Sequence, residues 1–160
     1  MTRSYYLPEE EITLEPYHYT QCGLDDVYLL NGYKRHETPY GNGVSVENVY
    51  GLYDAIAESL CKNKALLGGK EIRFLRKQMD LTQADVALRL GCDSQSVARW
   101  EKGKSEINGA ADRLLRLLYL GTKNANIDPV EVIRALARLD AKISDKQIFE
   151  ETDSGWKTAA

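Results

Sequence analysis

The sequence predicts a mainly α protein: a five-helix domain, preceded by a small tyrosine-rich α+β part and followed by a short C-terminal arm. From Val46 onward, apolar residues recur at helical intervals. Between Leu81 and Lys104, two short helical patterns are separated by a glycine and a cap residue. Nine of the ten tyrosines lie before residue 65, among β-favouring residues and turn signals. The expected divisions are therefore 1–64, 65–140 and 141–160.

A chain of 160 residues can bury a core, either as one domain or as a small domain with an accessory part. Its 43% hydrophobic and 28% charged residues are near the globular average, and no apolar run reaches the roughly 18 residues of a membrane span. "MTRSYYLPEEEITLEP" has neither an apolar secretory core nor an arginine-rich, acid-poor transit composition, so a cytoplasmic protein is expected. Cys22, Cys61 and Cys92 are odd in number and far apart, which suits reduced, semi-buried thiols better than a disulfide framework. The net charge of −3 is unevenly distributed: residues 1–69 carry −5, residues 70–104 carry +3 and residues 105–160 carry −1. Phosphate attraction depends on charge at the contact face, so an acidic total does not exclude nucleic acid.

In chain order, the first 64 residues read as short strands and loops with turns at Asn31-Gly32 and Gly41-Asn42-Gly43. Val49, Leu52, Tyr53, Ile56 and Leu60 then place a helix at about 47–63. From Lys70, Ile72, Leu75 and Met79 share one face of a helix that ends near Asp80. Thr82 and Asp85 form a capping-box start; Ala84, Val86, Ala87 and Leu90 supply a small apolar face; Gly91 ends the helix. Asp93 or Ser94 caps the next helix, which turns Val97 and Trp100 inward and Gln95, Arg99 and Lys102 outward. "GAADRLLRLLYL" has Ala111, Leu114, Leu115 and Leu118 at core spacing. In "DPVE", Asp128 is a cap, Pro129 takes the first helical position and Glu131 suits the dipole, with Ile133, Leu136 and Ala137 marking the buried side. In the tail, Ile148, Phe149 and Trp156 are isolated, and the pattern fits either a strand with a turn or an extended arm.

The stretch "LTQADVALRLG", "CD", "SQSVARWEKGK" resembles the helix-turn-helix of the Cro and phage-repressor family, also called the XRE family. That resemblance implies binding to double-stranded DNA, with a braced helix entering a major groove roughly 12 Å wide. Position by position, it assigns Gln83 to a phosphate and Ser94, Gln95, Ser96 and Arg99 to bases or adjacent phosphates. Glutamine suits adenine and arginine suits guanine O6 and N7. Lys102 and Lys104 fall near the backbone, Arg76 and Glu101 match a structural ion pair, and Trp100 is scaffold. Residues 68–104, with "YTQCG" upstream, also look like the C-terminal half of MqsA-type (YgiT-type) antitoxins, but the two CxxC zinc pairs of that family are not present. His18, Cys22, His36 and Cys61 could ligate zinc chemically, yet their spacing matches no structural zinc pattern, so no metal and no cofactor is expected.

The reading is a homodimeric transcriptional repressor on a palindromic operator, in one form the autoregulating antitoxin of a cognate toxin. The alternative is a regulator in which residues 1–64 bind a small molecule, a metal or a protein as effector. An enzyme is not expected: Cys22, His18, His36 and Asp25/Asp26 form no nucleophile, base and orienter set, and Gly68-Gly69-Lys70 lacks the preceding glycine of a phosphate loop.

Overall fold

The computed structural model describes residues 15–139 and 146–159. The acidic stretch 1–14 and the 140/141 boundary of the expected arm lie outside the described residues. The chain divides into two compact units, residues 1–56 with 145–160, and residues 57–144.

The first unit is built on a sheet of four strands in the order β1 (Tyr17–His18), β2 (Val27–Leu29), β5 (Gln147–Thr152), β6 (Gly155–Thr158). Instead of an arm, the C-terminal residues supply half of this sheet. β5 runs parallel to β2, with Val27 opposite Gln147 and Leu29 opposite Phe149, and β6 returns antiparallel to β5. Phe149 is fully buried and Trp156 nearly so, which is why two apolar residues that look isolated in sequence are core in space. Parallel strands need a long crossover, and here that connection holds the second unit. Asn31, just after β2, prolongs the contact with β5, its side chain donating to the Glu151 carbonyl and accepting from the Glu151 N–H. Trp156 donates Nε1–H to the Glu47 carbonyl at 3.0 Å and lies over Gly32. A Cβ there would fall 2.5 Å from the indole, at φ +75°, so only glycine fits.

A separate ribbon pairs β3 (Tyr33–Thr38) with β4 (Gly41–Val46). Its turn is at Pro39-Tyr40, so Gly41-Asn42-Gly43 opens a strand and is not the expected turn. Pro39 fixes φ and lacks an N–H, which makes it the better turn former of the two segments. Helix α1 spans Val49–Asn63, and the boundary between the units falls within it.

Six helices occur among the described residues, five of them between Gly69 and Ala137: α2 (Gly69–Gln78), α3 (Gln83–Leu90), α4 (Ser94–Glu101), α5 (Gly109–Lys123) and α6 (Pro129–Ala137). The second unit's core includes Leu60, Leu67, Ile72, Leu75, Val86, Val97, Ile107, Leu115, Tyr119 and Leu136. Leu114 and Ile133, expected inside, are 43% and 39% exposed, and Ala137 is exposed too. On α5 the buried stripe is Asp112, Leu115, Arg116, Tyr119 and Leu120, rotated from the leucine-only spacing. A buried ion pair causes the rotation. Arg116 Nε lies 2.9 Å from Asp112 Oδ2, while its Nη groups donate to the carbonyls of Leu60, Lys64 and Ala65 and Asp112 accepts from Leu67 N–H. The guanidinium thus satisfies one carbonyl in the last turn of α1 and two in the segment just after it. Among the described residues, no helix is long and apolar enough to cross a membrane.

Candidate nucleic-acid interface

Three helices in succession are closed by the same device. After α2, Leu81 N–H reaches the Arg76 carbonyl with Asp80 at φ +55°; after α3, Cys92 N–H reaches Ala87 with Gly91 at φ +76°. After α4, Lys104 N–H reaches Arg99 with Gly103 at φ +74°. Each left-handed residue turns the chain while satisfying a terminal carbonyl, and the helices stay short. Their starts are equally defined. Thr82 Oγ1 accepts from Asp85 N–H at 3.0 Å, Asp85 Oδ2 accepts from Thr82 N–H at 2.9 Å, and Asp93 caps α4 by accepting from Ser96 N–H at 2.7 Å. Those bonds, first the backbone one in each case, hold both carboxyls below the usual range.

Behind α4 sit Val97, fully buried, and Trp100, 8% exposed. At Gly69 a Cβ would lie 2.5 Å from the Trp100 carbonyl oxygen, so the start of α2 can approach the end of α4 only with glycine there. Arg76 of α2 then grips Glu101 of α4 bidentately, Nε to Oε2 at 2.7 Å and Nη2 to Oε1 at 2.9 Å, and Nη1 reaches the Leu81 carbonyl. Gln83 of α3 joins by donating Nε2–H to Glu101 Oε1 at 3.1 Å. One carboxylate therefore ties three helices together, and its hydrogen bonds hold the Arg76 guanidinium firmly charged.

The outward face of α4 carries Gln95, Arg99 and Lys102, all exposed, with Ser94 exposed and Ser96 half-buried. Arg99 Nη2 donates to Ser96 Oγ at 3.2 Å. Lys104 is exposed just beyond the helix end. Ser94 and Gln83 face a shared open groove of about 550 Å³, whose wall includes Thr82 and Ala84 at the start of α3. An α3 N-terminus on that wall favours an anion. Gln83 is thus placed differently from the exposed residues of α4: it is half-buried, with one amide hydrogen used on Glu101 and the other available.

Residues 72–111 match the family model HTH_3, described as Helix-turn-helix. This segment is an XRE-type helix-turn-helix. For this segment, the match supports DNA binding of the kind used in transcription regulation. The match covers a quarter of the 160 residues, and neither curated proteins nor solved structures give a match to the chain. Within the helix-turn-helix, α4 is the second helix of the motif, α3 the first, and α2 the helix that braces both.

Elsewhere, the residues weighed as metal ligands are not gathered. His18 Nε2 lies 2.6 Å from the Asp25 carbonyl oxygen, His36 Nε2 is bonded to Ser45 Oγ, and Cys22 Sγ to the Tyr19 carbonyl. Among the described residues no group of three or more His, Cys, Asp or Glu is placed to hold a metal ion. Burial pushes the Cys61 thiol up to about 12 and raises Cys22 and Cys92 as well, so none is an activated thiolate. Two scaffold elements escaped the sequence reading. Arg116 and Asp112 are an i, i+4 pair inside a leucine run, and Gly69 is half of a glycine doublet before a helix; both signals were there to read.

Proposed function

We propose that the protein is a transcriptional repressor that binds a palindromic operator in double-stranded DNA as a homodimer, with α4 in the major groove. The observation that carries this reading is the two-sided character of α4 within the helix-turn-helix: Val97 and Trp100 are buried, and Gln95, Arg99 and Lys102 are exposed together on the other side. In this reading Gln95 and Arg99 read base edges, Ser94 and Ser96 meet bases or the adjacent phosphates, and Gln83, Lys102 and Lys104 meet the backbone. Arg76 and Glu101 hold the angle and touch no DNA. An eight-residue helix reads few base pairs, so two copies related by a two-fold axis are needed for a site of useful length.

Footprinting of the full chain on the promoter region of its own gene tests the proposal. Two protected half-sites in inverted repeat, centred about 10 base pairs apart, are expected. Protection without symmetry, or equal affinity for random DNA, overturns it. The antitoxin form of the reading is supported by the MqsA-type likeness of residues 68–104 and is tested by co-purification with a co-encoded small protein.

A further inference from the structure

Among the described residues, β3 and β4 pair only with each other, one residue opposite one residue from Tyr33–Val46 to Thr38–Gly41. Alternate residues of each strand therefore turn their N–H and C=O groups outward, and a row of unmade main-chain hydrogen bonds is a template for another strand. The two edges differ in how they handle this. β3 carries Lys34, Arg35, His36 and Glu37, side chains that discourage pairing. β4 reads Gly-Asn-Gly-Val-Ser-Val: it has no charge, no proline and no bulge.

We propose that β4 is a self-association edge, along which two copies of the chain pair β4 against β4 in antiparallel register. The inference rests on the homodimer reading and gives that dimer a surface. Three features favour a second copy as the occupant. Antiparallel pairing of a strand with its own image is two-fold symmetric, so it closes at two and matches the symmetry of a palindromic site. An uncharged strand meets its image without like charges in opposition. The nearest cation on the shared face, Arg35 opposite Val44, has its guanidinium 5.3 Å and 5.9 Å from the ring centres of Tyr17 and Tyr33, which are themselves stacked. Half-buried Val44 and Val46 then meet their counterparts across the new ladder.

Amide hydrogen exchange of the full chain, followed at two protein concentrations, tests this directly. Protection of outward-facing β4 amides is expected to rise with concentration, while the outward amides of β3 stay unprotected. Asn42→Lys, at an exposed position on the β4 edge, is expected to raise the dimer dissociation constant about tenfold. Glu37→Lys, directly opposite on β3, is expected to leave it within about twofold. The exchange measurement needs no variant, so a substitution that unfolds the ribbon does not decide the matter. Protection that is independent of concentration assigns the edge to a segment of the same chain, and protection seen only with another protein assigns it to that partner; either overturns the proposal. A dimer that persists with β4 unprotected overturns this interface and leaves the homodimer standing. A chain that is monomeric at every concentration and on its operator overturns both.

Discussion

Arg76 and Arg99 are the same side chain in opposite settings. Arg76 is half-buried, with Nε, Nη1 and Nη2 all donating within the fold, whereas Arg99 is exposed and bonded to the Ser96 hydroxyl. Exchanging a serine for a guanine edge costs Arg99 little, while removing Arg76 leaves Glu101 buried without its countercharge. For Gln95→Ala and Arg99→Ala, binding to the preferred operator is expected to weaken by about 1–3 kcal/mol each, with a much smaller loss on random DNA. Gel-shift titrations on both sequences check this, and equal losses would move the residues to phosphate contacts. Lys102→Ala is expected to weaken binding on every sequence and to reduce the salt slope by about 1, read from affinities across a salt series. Asp80 offers a test of the scaffold. It holds φ +55° at the end of α2, where a side chain is strained, so Asp80→Gly is expected to stabilise the fold by up to about 1 kcal/mol in urea unfolding.

At the scale of elements, the helix-turn-helix owes its geometry to short helices with defined ends. Asp85 and Asp93 are ionised acceptors of cap hydrogen bonds, and both have folded-state values below the usual carboxylate range. Because the folded values are the lower ones, their contribution is complete above about pH 4, the unfolded range, and is lost as pH falls through the folded values. Urea midpoints measured between about pH 5 and pH 2.5 are expected to fall, and Asp93→Asn, which keeps a capping oxygen without a titration, is expected to make that fall shallower. The caps were legible in the sequence: Thr82 with Asp85, Asp93 before Ser94, and Asp128 with Pro129 each form a local pattern of a few residues. The buried side of α5 was not. Spacing of leucines put Leu114 inside, but Arg116 takes a place in the stripe because it has carbonyls of Leu60, Lys64 and Ala65 to satisfy, and those lie more than 50 residues away in sequence.

For the whole molecule, the decisive feature is the return of the C-terminal strands to the sheet begun by β1 and β2. Deleting residues 146–160 is expected to leave Val27 and Leu29 without their neighbouring strand and the first unit without Phe149 and Trp156. Near-ultraviolet circular dichroism checks this, as loss of the ordered tyrosine signal from residues 15–56. An unchanged spectrum would show that the strands add nothing to that core. By itself the sequence determined the helix-turn-helix, because capping, glycine closure and apolar spacing act over windows of a turn or two, and those windows are contiguous in the chain. Only the tertiary structure decided that β5 lies beside β2, that Gln83 of α3 joins the expected Arg76–Glu101 pair, and that Arg116 is core. The physical reason is distance along the chain: a hydrogen bond between residues 18 or 120 positions apart leaves no periodicity to read until folding brings its partners together.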